Sequence, residues 1–359
     1  MRFCIIILLA VFFAAAAVAT SAAEMGREDR ARLGIALSFM GLENFEEAAD
    51  ILAGLKEAYP ENRTIITELA KAYGYGGELS RAEALFDSLP RDREILLAHA
   101  SVLEANDEFE PAAEKYIHLL EIYPGDLEIK EKLADVSAWT GELDRARDYY
   151  GRVLEEKPGD KNLAARYADV LFRGEEYAEA LRIYREIGIR LRDDRQRFEN
   201  MGYAYLRLEK YRDAEKIFRG IAQAYPGDAD ARVKLANAYY GLEEKEKAEE
   251  QIQIIMQMDI EEETELGLAE VFASFGEYDR AANLLEGLVE RRPEDYRLLE
   301  FAADIYPGAG RHEESEGLYR KLLEAGYNRE EITIKLADVL RYQGKHEEAI
   351  EIYREYIGE

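Results

Sequence analysis

The chain of 359 residues has one cysteine, one tryptophan and eight prolines, and its 47 Lys and Arg stand against 75 Asp and Glu, a formal net charge of −28. One cysteine makes neither an internal disulfide nor a zinc cage of about four ligands. The deficit of basic residues leaves little to displace phosphate counterions, which excludes sequence-independent nucleic-acid binding. It excludes a basic membrane-surface protein as well. Also missing are a G-x-x-x-x-G-K-[ST] phosphate loop, H-E-x-x-H and G-x-S-x-G. His99, His118, His312 and His346 fall in different segments, and acidic pairs are too common for their spacing to nominate a general acid and base. The chain reads as no enzyme, with no metal and no cofactor. What it has in quantity is apolar residues, 48% of the total. That is enough for a real core and against wholesale disorder.

Met1 and Arg2 precede an apolar run from Phe3 to Val18, followed by the small residues Ala19, Ser21, Ala22 and Ala23, then Glu24. A charged start, an apolar middle and small residues before a cut are the layout of a secretory signal peptide. Residues 1–23 are therefore expected to be a leader cut after Ala23, with Ala17-Val18-Ala19 as the other cut. The rival, an uncleaved anchor, needs about 20 apolar residues to span a bilayer, more than the run supplies. Cys4 lies ahead of the apolar run, not at the cut where a lipoprotein cysteine would sit, and cleavage removes it. The expected location is outside the cytoplasm, periplasmic if the source is a Gram-negative bacterium, with no membrane span after cleavage.

Self-similarity organises everything after the leader. A small residue recurs at Ala48, Ala82, Ala112, Ala146, Ala180, Ala214, Ala248, Ala281, Ser315 and Ala349, in steps of 34 residues except one of 30 and one of 33. Twelve residues before each stands another: Ala36, Ala70, Ala100, Ala134, Ala168, Gly202, Ala236, Ala269, Ala303 and Ala337. Four residues after each comes a large apolar one, among them Tyr116, Tyr150, Tyr184, Phe218, Ile252, Leu285, Tyr319 and Tyr353. In 127–160, Ile129, Leu133, Ala134 and Val136 keep helical spacing, Gly141 interrupts, and Leu143, Ala146, Tyr150 and Val153 resume it until Pro158-Gly159-Asp160. Each unit is a helix pair whose small residues let the two backbones approach. Helices this short are marginal alone and need their neighbours. The Gly74-Tyr75-Gly76-Gly77 cluster is expected at such a turn rather than as a ligand loop.

The period and the helix-turn-helix unit resemble the tetratricopeptide repeat (TPR), including the terminal prolines Pro60, Pro124, Pro158, Pro226 and Pro293. Three departures stand out. No tryptophan opens the first helices, Trp139 lying late in its own. The 30-residue step with Pro90 implies a shortened linker. Pro307-Gly308 interrupts the tail of one first helix. The resemblance implies an all-α, right-handed α-solenoid of about ten repeats over 29–359, starting near 29, 63, 93, 127, 161, 195, 229, 262, 296 and 330. It also implies a concave groove, lined by first helices, that binds peptides or proteins.

Counted from those starts, the ninth place reads Leu37, Lys71, Ser101, Asp135, Asp169, Tyr203, Asn237, Glu270, Asp304 and Asp338. Its five carboxylates suggest a negative groove for a basic or amine-bearing ligand, or simply the solvated acids of an acidic protein. A clamp for a terminal carboxylate is not expected, since only Lys234 and Asn237 approach one. Late in the first helices, Tyr75, Trp139, Phe172, Tyr240 and Tyr342 either pack between repeats or, with Tyr203, present rings to a ligand. Arg182, Arg185, Arg190, Arg192, Arg195 and Arg197 gather on an edge, there to dock an acidic partner or another copy, or to balance neighbouring acids. Ile350, Tyr353 and Tyr356 have no capping helix after them and offer a partner or self-association surface.

The function expected is an exported scaffold holding protein partners, among them envelope proteins, in the groove. Leu133-Ala134-Asp135-Val136-Ser137-Ala138-Trp139-Thr140-Gly141 and Leu336-Ala337-Asp338-Val339-Leu340 resemble repeats of bacterial exopolysaccharide export proteins. The alternative is direct polysaccharide binding by the groove aromatics.

Overall fold

The structure, a computed structural model, describes residues 25–358. The expected leader, 1–23, lies outside the described residues. Those residues form twenty α-helices and no strand. In chain order they pair as Arg27–Gly41 with Phe45–Ala58 (α1, α2), Arg63–Tyr75 with Leu79–Asp87 (α3, α4), and Arg93–Ala105 with Phe109–Ile122 (α5, α6). Leu127–Thr140 pairs with Leu143–Glu156 (α7, α8), Lys161–Arg173 with Tyr177–Ile187 (α9, α10), and Arg195–Arg207 with Tyr211–Ala224 (α11, α12). Ala229–Gly241 then pairs with Lys245–Ile255 (α13, α14) and Glu262–Ser274 with Tyr278–Arg291 (α15, α16). Tyr296–Ile305 pairs with His312–Glu324 (α17, α18), the 3₁₀ turn Tyr306–Ala309 between them holding Pro307, and Arg329–Tyr342 pairs with His346–Ile357 (α19, α20). Two compact bodies divide after Ile183.

Local chemistry sets both ends of each hairpin. Asn62, Asp92, Asp126, Asp160, Asp194, Asp228 and Asp295 cap first helices by accepting backbone N–H bonds from the first turn. Several caps also hold the preceding repeat: Arg63 lies 2.5 Å from Asp92, Arg93 donates to Asp126 at 2.7 Å, and Arg195 pairs with Asp228. Between the helices, the fifteenth residue of every repeat has a positive φ. It is Gly77, Gly141, Gly276, Gly310 and Gly344 in five repeats, but Glu43, Asp107, Glu175, Glu209 and Glu243 in the others.

In the first body the small residues Ala36, Ala48, Ala70, Ala82, Ala100, Ala112, Ala134 and Ala146 are fully buried, with Leu52, Tyr116 and Tyr150 beside them. The short step removes helix rather than linker: residues 88–92 still connect the elements, but α4 stops at Asp87. This brings α3 against α5, where a Cβ on Gly74 would overlap the Val102 methyls. Of the glycine cluster, Gly77 makes the turn, while Gly74 is helical and buried for that contact. In the second body Gly202 stands in the small-residue row because Ile217 and Phe218 lie 2.7 Å from where its Cβ would be.

Candidate functional site

The ninth-place residues sit on first helices, and in several repeats their carboxylates are already engaged. In the first body the Tyr150 hydroxyl, at the end of a buried ring, donates to Asp135 in its own repeat. Arg166, sixth in the following repeat, donates to both Asp135 oxygens at 2.5 and 2.7 Å and also bonds Glu131. Burial alone would lower the Arg166 guanidinium, but Asp135 and Glu131 outweigh it and hold it above its ordinary value. Burial, then the Asp135 carboxylate, pushes the Tyr150 phenol well up. The preceding repeat has the same arrangement one helical turn on: Tyr116 donates to Glu104 at 2.9 Å, and Lys132, again sixth in the next repeat, lies 3.3 Å from it.

The second body repeats the pattern in its last two hairpins. Tyr319 donates to Asp304 at 2.5 Å, and Lys335, sixth in the next repeat, lies 2.8 Å from Glu300, 3.0 Å from Asp304 and 3.1 Å from Glu331. Asp338 accepts from Tyr353 at 2.7 Å and lies 3.4 Å from Arg341. Asp169 is half-buried and also has partners. Of the five carboxylates in that line, Asp135, Asp304 and Asp338 are thus hydrogen-bonded to tyrosines and paired with cations. The signal was readable, for the four aspartates and Tyr150, Tyr184, Tyr319 and Tyr353 keep one fixed separation.

Between those repeats the pattern breaks. The sixth, seventh and eighth repeats carry Phe218, Ile252 and Leu285 where the tyrosine would be, and Tyr203, Asn237 and Glu270 in the ninth place. Tyr203 is 37% exposed. Asn237 is half-buried, and its side chain makes no hydrogen bond among the described residues. Glu270 is exposed and makes no ion pair among the described residues; the sixth place of the following repeat holds Phe301 instead of a cation. Partial desolvation, then the nearby Glu263 carboxylate, raises the Glu270 pKa, against the opposing pull of Lys234. Lys234 itself pairs with Asp230.

The aromatics follow a second register, in which the seventeenth residue of one repeat covers the thirteenth of the next. Phe45 lies 5.7 Å from Tyr75 and Phe109 5.4 Å from Trp139, while Tyr211 and Tyr278 occupy the space beside Gly241 and Gly308. Trp139 remains 49% exposed and Tyr342 67% exposed. Tyr240 is only 4% exposed, stacked on Phe275 at 5.2 Å with its hydroxyl donated to Glu249 at 2.8 Å. Burial, then Glu249, pushes its pKa up to about 12. Its expected place among ligand-facing rings is therefore corrected to inter-repeat packing. His312 and His346 each open a second helix, and His346 is exposed.

Tetratricopeptide repeat models match residues 30–62, 141–201, 205–259, 266–330 and 308–359, together more than half of the chain. The chain belongs to the tetratricopeptide repeat family. No curated protein matches the sequence. Among solved structures, a TPR protein from Parabacteroides merdae is 13% identical with a TM-score of 0.41, the alignment covering 88% of this chain and 100% of that one. Pseudomonas aeruginosa pilF is 19% identical with a TM-score of 0.44, covering 56% and 93%. YrrB, described as a TPR protein with an unusual peptide-binding site, is 18% identical with a TM-score of 0.37, covering 52% and 97%. TPR proteins are protein-interaction scaffolds and generally not catalysts. Among the described residues of this one, no helix is long and apolar enough to cross a membrane and no acidic, histidine or cysteine group could hold a metal ion.

Proposed function

We propose that this TPR protein is an exported scaffold, working within an envelope assembly, whose sixth to eighth repeats bind a partner segment carrying a lysine or arginine. The observation that carries the reading is the empty counterpart of an internal pattern. Where Lys132, Arg166 and Lys335 reach back from the next repeat, the carboxylates are satisfied from within. Glu270 has Phe301 in that place, and Leu285 stands in its own repeat where Tyr150 stands in the fourth. A partner's cation would complete it as Arg166 completes Asp135, with Asn237 and Tyr203 beside it on neighbouring first helices. The apolar run and small residues of 1–23 support export. A glycan along the aromatic line has less to hold, since Tyr240 is buried and Trp139 packs on Phe109.

A display library of random ten-residue peptides, selected on the purified protein, tests this. Enriched sequences should carry Lys or Arg, and Glu270→Gln should weaken them about tenfold or more, the ordinary scale for a charge-assisted hydrogen bond. Enrichment of acidic or uncharged peptides, or binding unchanged in Glu270→Gln, rejects the reading.

A further inference from the structure

The ion pairs of this chain come in two kinds. Lysines meet carboxylates alone: Lys132 lies 3.3 Å from Glu104 in the first body, and in the second Lys216 lies 2.8 Å from Asp213 and Lys335 2.8 Å from Glu300. Several arginines meet a carboxylate with an aromatic ring against them as well. In the first body Arg81 lies 2.7 Å from Glu78, its guanidinium carbon 3.7 Å from the centre of the Tyr73 ring. In the second, Arg195 donates to Glu199 at 2.7 Å and lies 4.4 Å from the Tyr225 ring. Arg280 donates to Glu249 at 2.5 Å and lies 4.0 Å from the Phe272 ring. Lys247, paired with Glu244, is 5.6 Å from the Tyr239 ring. The difference is chemical. A guanidinium is flat and weakly hydrated, so it stacks on a ring while its N–H groups fork onto a carboxylate; an ammonium is a compact, strongly hydrated point charge.

Glu270 has two parts of the arginine arrangement. The ninth-place carboxylates Asp135, Asp169, Glu270 and Asp304 are followed, in the sixth place of the next repeat, by Arg166, Asn200, Phe301 and Lys335. Phe301 is the one aromatic residue in any sixth place. The reach of that place is set by Lys335, which comes to 3.0 Å from Asp304. Phe301 is half-buried on α17 and rests on the apolar cluster of Ala269, Leu285, Leu298 and Ala302, beside the residue that precedes Glu270. Glu270 is exposed and makes no ion pair among the described residues. Carboxylate and ring are present, and a guanidinium is what they lack.

We infer, building on the Glu270 site proposed above, that this slot selects arginine over lysine in the partner, the guanidinium stacking on Phe301 and forking onto Glu270 as Arg280 does between Phe272 and Glu249. Phe301 is then a specificity residue as well as the break in the internal pattern. Discrimination comes from the ring, because the carboxylate alone attracts either cation.

A basic decapeptide selected on the purified protein, synthesised once with Arg and once with Lys at its basic position, reads this out by calorimetric titration. The Arg form should bind the wild type about fivefold tighter, the scale of one partly exposed cation–π contact. Phe301→Leu keeps an apolar side chain on the Ala269 cluster and removes the ring. It should weaken the Arg form about fivefold and leave the Lys form unchanged, while Phe301→Tyr retains the preference. Thermal unfolding checks that each variant is folded, and the wild-type comparison needs no variant. Equal binding of the two forms by the wild type overturns the inference. So does an Arg preference that survives Phe301→Leu, which fork geometry alone would explain. In either case, Glu270→Gln weakening both forms leaves the site standing. Two forms that bind Glu270→Gln as tightly as the wild type remove the site and the inference together.

Discussion

Two side chains at the end of the same small-residue pattern behave differently because of one oxygen atom. Tyr150 is buried, and its hydroxyl has Asp135 to receive its proton, whereas the equivalent Phe218 is buried with no such acceptor in its repeat. Tyr150→Phe keeps the packing and deletes one hydrogen bond to a charged group, a loss of about 1.5–3 kcal/mol. Phe218→Tyr should also destabilise, by about 1–3 kcal/mol, because it buries a hydroxyl without a partner. Denaturant unfolding of both variants checks the pair. A stabilising Phe218→Tyr would show that an acceptor is within reach after all. His99 is a third case: it is buried, stacked on Phe86 at 4.7 Å, and its Nε2 has no partner among the described residues. Burial, then Lys115, with Arg91 adding to them and Asp87 opposing, lowers its pKa to about 4 from the ordinary 6.5. The unfolded chain takes up this proton first, so the stabilisation is complete above pH 6.5 and is lost as pH falls toward 4. The full loss is about 3 kcal/mol. His99→Leu should remove that part of the pH dependence of unfolding, and an unchanged slope between pH 6.5 and 4 would contradict it.

At the scale of the helix, glycine has opposite meanings at two positions in neighbouring helices. Gly202, in α11, faces Ile217 and Phe218 with no room for a methyl, while Gly220, in α12, has nothing within 4 Å of its would-be Cβ. Gly202→Ala should destabilise by about 1–3 kcal/mol through overpacking. Gly220→Ala should stabilise by about 0.5–1 kcal/mol through helix propensity alone. Thermal unfolding of the two variants should move in opposite directions. The helix pairs themselves were legible in the sequence, because the spacing of small and large apolar residues is the same physical requirement that packs Ala134 against Ala146 and Tyr150. The turns were only half legible. Gly141 announces a left-handed residue, but Glu175, Glu209 and Glu243 adopt the same backbone and nothing in a glutamate foretells it. The short step was visible as a number, yet whether helix or linker was lost depended on how Gly74 meets Val102, a tertiary contact.

For the molecule as a whole, a charge of −28 and five ninth-place carboxylates suggest a negative groove. The net charge stands, but several of those carboxylates are engaged locally, by tyrosine hydroxyls within repeats and by cations reaching back from the next repeat. Which ninth-place residues lie on first helices could be read from the period. The tyrosine partners could be read too, from their fixed separation; the cation partners could not, because Arg166 and Asp135 are neighbours only once the repeats stack. What distinguishes Glu270 is thus the residue one repeat on, Phe301. The decisive measurement supplies that missing cation from within, by titrating a selected Lys- or Arg-bearing peptide against the wild type and Phe301→Arg, with thermal unfolding as a check on folding. Phe301→Arg should fill the Glu270 slot and lose the peptide by about tenfold or more while Glu270 itself is untouched. Equal binding by the two folded proteins would contradict it.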